Sequence, residues 1–325
     1  SDTAIKVAQK IVTDKNKADI LAVIGHSTSE MTLNAVEKEY QDKLLVVSAT
    51  SNSVRFDTNS DIVLRTVINN TYEINEFEKK YVKSKFNSSG IRGIVVYEKG
   101  DTFSDSLKRE FETKIPLLSN STFDEYKFDD DNYSLQKLLA LIQEKKANVL
   151  LLAPSGKEEM VRKALQVVKE ISKNQNNKNL ILLGASTMYS PITTSFKDIT
   201  DYGKASEIAK LVVFTPWHRS NPNFESDFEK EAKNIWGDVK INWITAMAYD
   251  ATKVIIEGLD KVGEQVNQRQ LREKLLRNIN NFSVQGATTT VKFEKKGGRK
   301  RTDGLGVLVQ VKCNNTSCNF ENLDS

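Results

Sequence analysis

Three short stretches concentrate small, hydroxyl-bearing residues directly behind apolar, strand-like runs. They are Ser27-Thr28-Ser29 after Ile20–Ile24, Ala49-Thr50-Ser51-Asn52 after Leu44–Ser48, and Ala185-Ser186-Thr187 after Leu180–Leu183. Small side chains let backbone N–H groups approach a ligand, and hydroxyls both donate and accept. A helix starting behind such a loop favours an anionic group at its N-terminus. The same residue types are preferred helix N-caps, so one such loop alone decides nothing. Three together point to the binding of a small molecule.

Chemistry of other kinds finds little support. With only two histidines, His26 and His218, a His-rich metal site is excluded, and each reads as a structural residue. No GxSxG elbow, phosphate-binding P-loop, HExxH pair or GxGxxG turn occurs, so no catalytic nucleophile and no cofactor is called for. The acidic triplet Asp129-Asp130-Asp131 precedes a helical pattern that starts at Leu135. Acids favour the first turn of a helix, so capping accounts for it better than a metal. Tyr72, Trp217 and Trp243 read as core aromatics, although rigid rings also line small-molecule clefts.

The loops need elements to hold them, and strand and helix patterns alternate almost throughout. Buried-strand runs occur at Ile20–Ile24, Leu44–Ser48, Ile94–Tyr97, Val149–Leu152, Leu180–Leu183 and Leu211–Phe214. Helical spacing fills Ile5–Val12, Leu33–Tyr40, Leu107–Phe111, Leu135–Ile142, Met160–Ile171 and Phe224–Ile235. This alternation predicts an α/β protein with parallel sheets covered on both faces. In such sheets ligands bind beyond the carboxyl ends of the strands, where the hydroxyl-rich loops fall.

At 325 residues the chain is long enough for two lobes. Its 47 basic and 43 acidic residues leave a net charge of +4, a small surplus on a mixed surface. No apolar run approaches the roughly 18 residues of a membrane span, and the first residues lack the pattern of a secretory leader. The one dense basic run, Lys295–Arg301, carries two glycines and is flanked by strand-like Thr290–Phe293 and Val307–Val311. It reads as a solvated hairpin tip rather than a nucleic-acid or lipid patch. Cys313 and Cys318 are too sparse for a metal site and read as a short disulfide loop, which needs an oxidising compartment. Two reduced thiols in a cytosolic tail are the alternative.

A series of blocks in fixed order resembles the branched-chain amino-acid receptors of bacterial ABC transporters. They are Ile24–Leu33, Val46–Ser51, Leu64–Thr66, Ile94–Tyr97, Gly184–Pro191, Phe214–Trp217, Ala246–Ala251 and Val307–Val311. The resemblance implies a Venus flytrap: two doubly wound, flavodoxin-like lobes joined by a three-crossing hinge, closing on a ligand in the cleft. Carried over, lobe one holds residues 1–90 and 217–284, and lobe two holds 91–216 and 285–325. The family's first strand–helix–strand unit has no counterpart before Ile5, so the resemblance implies an incomplete first lobe.

The resemblance also assigns a site. The carboxylate-binding serine falls on Ser29, and the next loop supplies Ala49, Thr50, Ser51 and Asn52, with Thr50 or Asn52 as its second side-chain ligand. Lobe two contributes Phe103, Ser155 and Ser186. Two of these depart from the family: Ser186 stands where it keeps an acid for an α-ammonium group, and Phe103 where it keeps a tyrosine. A buried ammonium without a counter-charge is costly, so these departures imply weak recognition of ordinary amino acids unless Asp101 or Asp105 compensates. A carboxylate or an amide fits equally well. The expected role is an extracytoplasmic solute-binding protein, not an enzyme, with an ABC permease as partner and no nucleic acid. A fused signalling receptor module is the alternative partner. The rival readings are an enzyme on a flavodoxin-like sheet and a degenerate module that binds nothing.

Overall fold

The computed structural model describes residues 2–14, 20–41, 44–59, 62–86, 90–114, 121–129, 131–174, 179–189, 199–220, 226–237, 241–262, 270, 273–274, 277–278, 283–315 and 317–323. The expectations that touched Asp130, Ser190, Pro191 and Phe224 lie outside these residues. The chain folds as two compact units, one of residues 1–69 and 221–305, the other of 70–220 and 306–325.

The first unit begins with α1 (Asp2–Asp14), β1 (Ala22–Ile24), α2 (Ser29–Ala35), β2 (Leu45–Ser48), the short turn α3 (Phe56–Asn59) and β3 (Val63–Arg65). The second runs from α4 (Asn70–Glu76) through α5 (Lys83–Lys85), β4 (Arg92–Tyr97), α6 (Thr102–Lys114), β5 (Thr122–Lys127) and α7 (Leu135–Glu144). It continues with β6 (Val149–Ala153), α8 (Glu158–Lys173), β7 (Ile181–Gly184), α9 (Ile199–Ile208) and β8 (Val212–Thr215). The chain then returns to the first unit with α10 (Ser226–Trp236), α11 (Trp243–Val262), β9 (Ser283–Gln285) and β10 (Thr290–Lys292). It ends in the second with β11 (Val307–Cys313) and β12 (Cys318–Asn322).

In the first unit β1, β2 and β3 form a parallel sheet in that order. Strands β2 and β3 are buried throughout, whereas β1, at the edge, is only partly covered and its Ile24 is 46% exposed. Ala8, Leu33, Val36, Tyr40, Val46 and Val63 pack into one core, which docks α1 and α2 on the sheet. In the second unit seven strands run in the order β12-β11-β8-β7-β6-β4-β5. The stretch from β8 to β5 is parallel, and β11 and β12 add antiparallel strands at one edge. Strands β4, β6, β7 and β8 are apolar on both faces because helices cover both faces, as in other parallel sheets.

The boundaries differ from the expected ones. Residues 70–90, expected in lobe one, group with the second unit. Asn70 Nδ2 donates to the Phe103 carbonyl at 3.3 Å and Thr71 Oγ1 to Glu110 at 2.8 Å, which fastens α4 to α6. Residues 285–305, expected in lobe two, group with the first unit. Here the reason is electrostatic. Arg299, inside the basic run, is buried and pairs with the equally buried Asp250 of α11 at 2.9 Å. The run is a hairpin tip, with Phe293 bridged antiparallel to Arg299, but its reading as solvated needs correcting: Lys295, Lys296 and Lys300 are solvated, while Gly297, Gly298 and Arg299 are core. Gly297 has φ +78°, and a β-carbon there would strike the Val63 carbonyl, so the tip closes on β3 through a glycine. The Lys300 N–H donates to the Lys292 carbonyl at 2.8 Å to close the hairpin, while the longer strands beyond it take other partners, β10 with β9 and β11 with β8 and β12.

Cys313 and Cys318 face each other across β11 and β12 and are bonded. Closing so short a loop contributes about 2 kcal/mol in the chain-entropy account. Mass spectrometry of the protein without reductant is expected to show the loss of two hydrogens. Two alkylatable thiols in protein taken from its native compartment would argue against an oxidising location.

Candidate functional site

In the first unit the loops after β1 and β2 are knitted together by their hydroxyls. Thr28 caps α2, accepting from the Met31 N–H at 3.2 Å. Thr32 and Ser51 share a hydrogen bond of 2.8 Å, and Ser48 donates to Ser51 at 2.8 Å. Ser51 is completely buried and reaches the Thr28 carbonyl at 3.3 Å, so its hydroxyl is engaged in holding the two loops together. Thr50 Oγ1 donates to the His26 carbonyl at 3.1 Å. Ser29 accepts from the Ser53 N–H at 3.3 Å, which leaves its own O–H to give. Ala49, Asn52 and Ser29 are all buried alongside. The five expected residues of this unit thus form one cluster at the carboxyl end of parallel strands, with Ser29 holding the uncommitted donor.

His26 serves the scaffold. Its ring stacks on Tyr40 with centroids 5.7 Å apart, and Nε2 meets the Tyr40 hydroxyl at 3.0 Å. Burial holds the imidazole below its ordinary pKa and pushes the Tyr40 phenol up to about 12, so both stay neutral at pH 7.

In the second unit Phe103 sits in the first turn of α6 with its ring buried. Asp101 Oδ1 accepts from the N–H groups of Phe103 and Ser104 at 3.1 and 2.9 Å, which is helix capping. Asp105 Oδ2 accepts from the Gly100 N–H at 3.1 Å. Both acids thus face their own loop, where sequence reading had offered them as counter-charges for an ammonium. Ser155 is buried after β6, and its Oγ accepts from the Lys157 N–H at 3.4 Å. Lys157 in turn is ion-paired with Glu98, which follows β4 and is 5% exposed. Ser186 opens a single 3-10 turn after β7, and its N–H donates to Oε1 of Glu73 at 3.0 Å. Glu73, on α4, is fully buried, and burial pushes its carboxyl up to about 8. Sequence reading missed it, together with Glu98 and Lys157.

With these loops placed, comparison with known proteins decides the family. A family model for the receptor family ligand binding region matches residues 1–305. The chain belongs to this receptor ligand-binding family. No curated protein matches it in sequence. Among solved structures a leucine binding protein from Thermotoga maritima superposes with a TM-score of 0.74 at 19% identity, covering 97% of this chain and 83% of that one. A solute binding protein from R. palustris in complex with benzoate gives 0.72 at 14% identity, with 97% and 80% covered. A branched-chain amino acid transporter substrate binding protein from Streptococcus pneumoniae in complex with isoleucine gives 0.71 at 12%, with 98% and 84% covered. The two-lobed α/β fold of a ligand-binding receptor is thereby shown.

Other expected features of this receptor domain resolve as structure. The acidic triplet does not cap α7: Ser134 does, accepting from the Lys137 N–H, and no acid lies in that helix's first turn. Asp129 instead accepts from the Lys99 N–H at 2.9 Å, tying the loop after β5 to the loop after β4. Trp217 and Trp243 are buried core residues. His218 packs edge-on against Tyr189 and bonds Ser220 through Nδ1 at 2.7 Å. Among the described residues no group of three or more His, Cys, Asp or Glu could hold a metal, and no helix is long and apolar enough to cross a membrane.

Proposed function

We propose that this receptor domain is an extracytoplasmic solute-binding protein for an amino acid or a related small carboxylate or amide, serving an ABC-type permease, and that it binds rather than catalyses. The observation that carries the reading is Ser29: buried at the carboxyl end of a parallel strand, held by the Ser53 N–H, and left with a hydroxyl proton to donate. An anionic group suits that donor, and Thr50, Ser51 and Asn52 shape the loop beside it. Phe103, Ser155 and Ser186 are the second unit's ligand-binding residues in this reading. Leucine, isoleucine and benzoate in the names of similar structures support the solute class. The family's description as a receptor ligand-binding region supports a second reading, in which a fused signalling module takes the permease's place.

A thermal-shift screen of amino acids, keto acids and aromatic acids tests this. A ligand at about 100 times its dissociation constant adds about 2.7 kcal/mol of stability, a readily measured shift. Ser29→Ala is expected to weaken the best hit about ten- to a hundred-fold, because a hydrogen bond to a charged group contributes roughly 1.5–3 kcal/mol. Unchanged affinity in that variant would remove Ser29 from the site.

A further inference from the structure

In the second unit an open cavity of about 690 Å³ lies at the end of the sheet opposite Ser186. Its walls are the Tyr81–Phe86 segment ending in α5, the last turn of α8, the residues leading into β7, and the end of α9. Ile181, which lines it, is the first residue of β7, whereas Ser186 follows the other end of that strand. The cavity is therefore separate from the candidate site. Small-molecule sites commonly enclose about 300–1,000 Å³.

Two kinds of surface line it. Phe86, Ile171, Leu180 and Ile208 are its apolar side chains. Phe86 and Leu180 are only partly covered, and Ile208 is 64% exposed. Apolar surface left open in a folded unit often marks a binding groove. Lys85, Lys173 and Lys210 add three cations, and no acid lines the cavity. Lys173 is paired with Glu170 at 2.5 Å. Lys85 lies over the Tyr81 ring at 4.9 Å, and among the described residues neither it nor Lys210 is paired with a carboxylate. Glu207, the nearest acid before Lys210 in the chain, accepts from the Cys313 N–H at 3.0 Å instead. Helix C-termini favour lysines, which accounts for each cation singly. It does not account for apolar side chains left uncovered in the same cavity.

We propose that this cavity is a second ligand site, for a single-chain amphiphilic anion of the medium-chain carboxylate class. The alkyl chain rests on Phe86, Ile171, Leu180 and Ile208, and the carboxylate meets the exposed Lys85 and Lys210. A monoanion suits the site better than a dianion, because the carbonyl ends of α8 and α9 offset part of the lysines' field. The site goes beyond the solute-binding reading and does not depend on it, since no residue of the candidate site takes part.

Titration calorimetry of the whole chain with decanoate, below its micelle concentration, tests the assignment. One decanoate per chain is expected, with an affinity that Ser29→Ala leaves unchanged. Lys85→Gln and Lys210→Gln should each weaken it about three- to tenfold, as charged contacts open to solvent do. Ile208→Glu, at an exposed position that tolerates a polar residue, should abolish binding by setting a negative charge in the cavity. Octanoate should bind about four- to sixteenfold more weakly, at roughly two- to fourfold per methylene lost. Decyltrimethylammonium, with the same chain and the opposite charge, should not bind. No heat with decanoate, equal binding of the cationic amphiphile, or an affinity that Ser29→Ala lowers and Ile208→Glu leaves intact overturns the site. Binding to phosphatidylglycerol vesicles without binding of free decanoate overturns it too, in favour of a membrane-facing patch. None of these outcomes touches the solute-binding reading, which stands or falls on the Ser29→Ala screen.

Discussion

Asp250→Ala is expected to destabilise the protein by about 3–5 kcal/mol, the cost of leaving a buried charge without its partner. Both side chains of the Asp250–Arg299 pair are 0% exposed. Asp250 Oδ1 accepts from the Ala287 N–H at 2.7 Å, and Oδ2 from Arg299 and the Thr288 hydroxyl. Arg299 also donates to the Thr66 carbonyl at 2.8 Å and to Thr288 at 2.8 Å. The pair therefore fastens α11, the loop before β10 and the end of β3 into one unit. Remove the carboxylate and the guanidinium keeps its desolvation penalty with only neutral acceptors left. Burial already presses the Arg299 pKa down, and the Asp250 charge is what opposes it. Urea unfolding followed by tryptophan fluorescence checks the magnitude. Asp250→Leu combined with Arg299→Met should be less damaging than Asp250→Ala alone, because swapping both charges for apolar groups removes the unpaired ion. A loss under about 1 kcal/mol for Asp250→Ala would mean that solvent reaches the arginine.

That pair also shows where sequence reading stops. Lys295–Arg301 looks like a charged tip because basic residues crowd a glycine pair, and nothing local distinguishes Arg299 from its neighbours. Its partner is 49 positions away. The strands β2, β4, β6, β7 and β8 were legible for the opposite reason: burial on both faces forces a continuous apolar run. Strand β5 was missed because it is an edge. In Thr122–Lys127 the residues are exposed or only partly buried and mostly polar, so it carries no apolar run to find. The acid triplet misled in a similar way, since Ser134, a single residue in the right φ/ψ region, outcompetes three nearby acids for the cap.

The candidate site was half legible. Hydroxyl loops are local, so Ser29 and the Ala49–Asn52 stretch stood out beside their strands. Glu73 did not, although one signal was present: Asn70, Ile74 and Phe77 follow a helical buried face, and Glu73 falls within it rather than on the solvated side. An acid inside a buried helical face is the signal, because its burial must then be compensated by something distant in sequence. Here that something includes the Ser186 N–H, 113 positions away.

Glu73→Gln should make the protein more stable at alkaline pH by several kcal/mol. In the folded chain Glu73 titrates at about 8, against 4.5 for the unperturbed group, and the cause is burial, opposed only by hydrogen bonds from Ser186. Between those values the folded state holds a proton that the unfolded state has lost. The unfolded state then binds fewer protons, so stability falls as pH rises through this window, by about 1.4 kcal/mol per unit at most. Below about pH 4 both states are protonated and the variant should match wild type; above about pH 8 the wild-type deficit is complete. Thermal melts across pH 4–9 would show a wild-type slope that Glu73→Gln flattens. Parallel wild-type and variant curves would mean that Glu73 titrates normally and is solvated. A steeper wild-type curve would mean that the fold carries the cost of burying Glu73, with the hydrogen bonds from Ser186 as the only force opposing it.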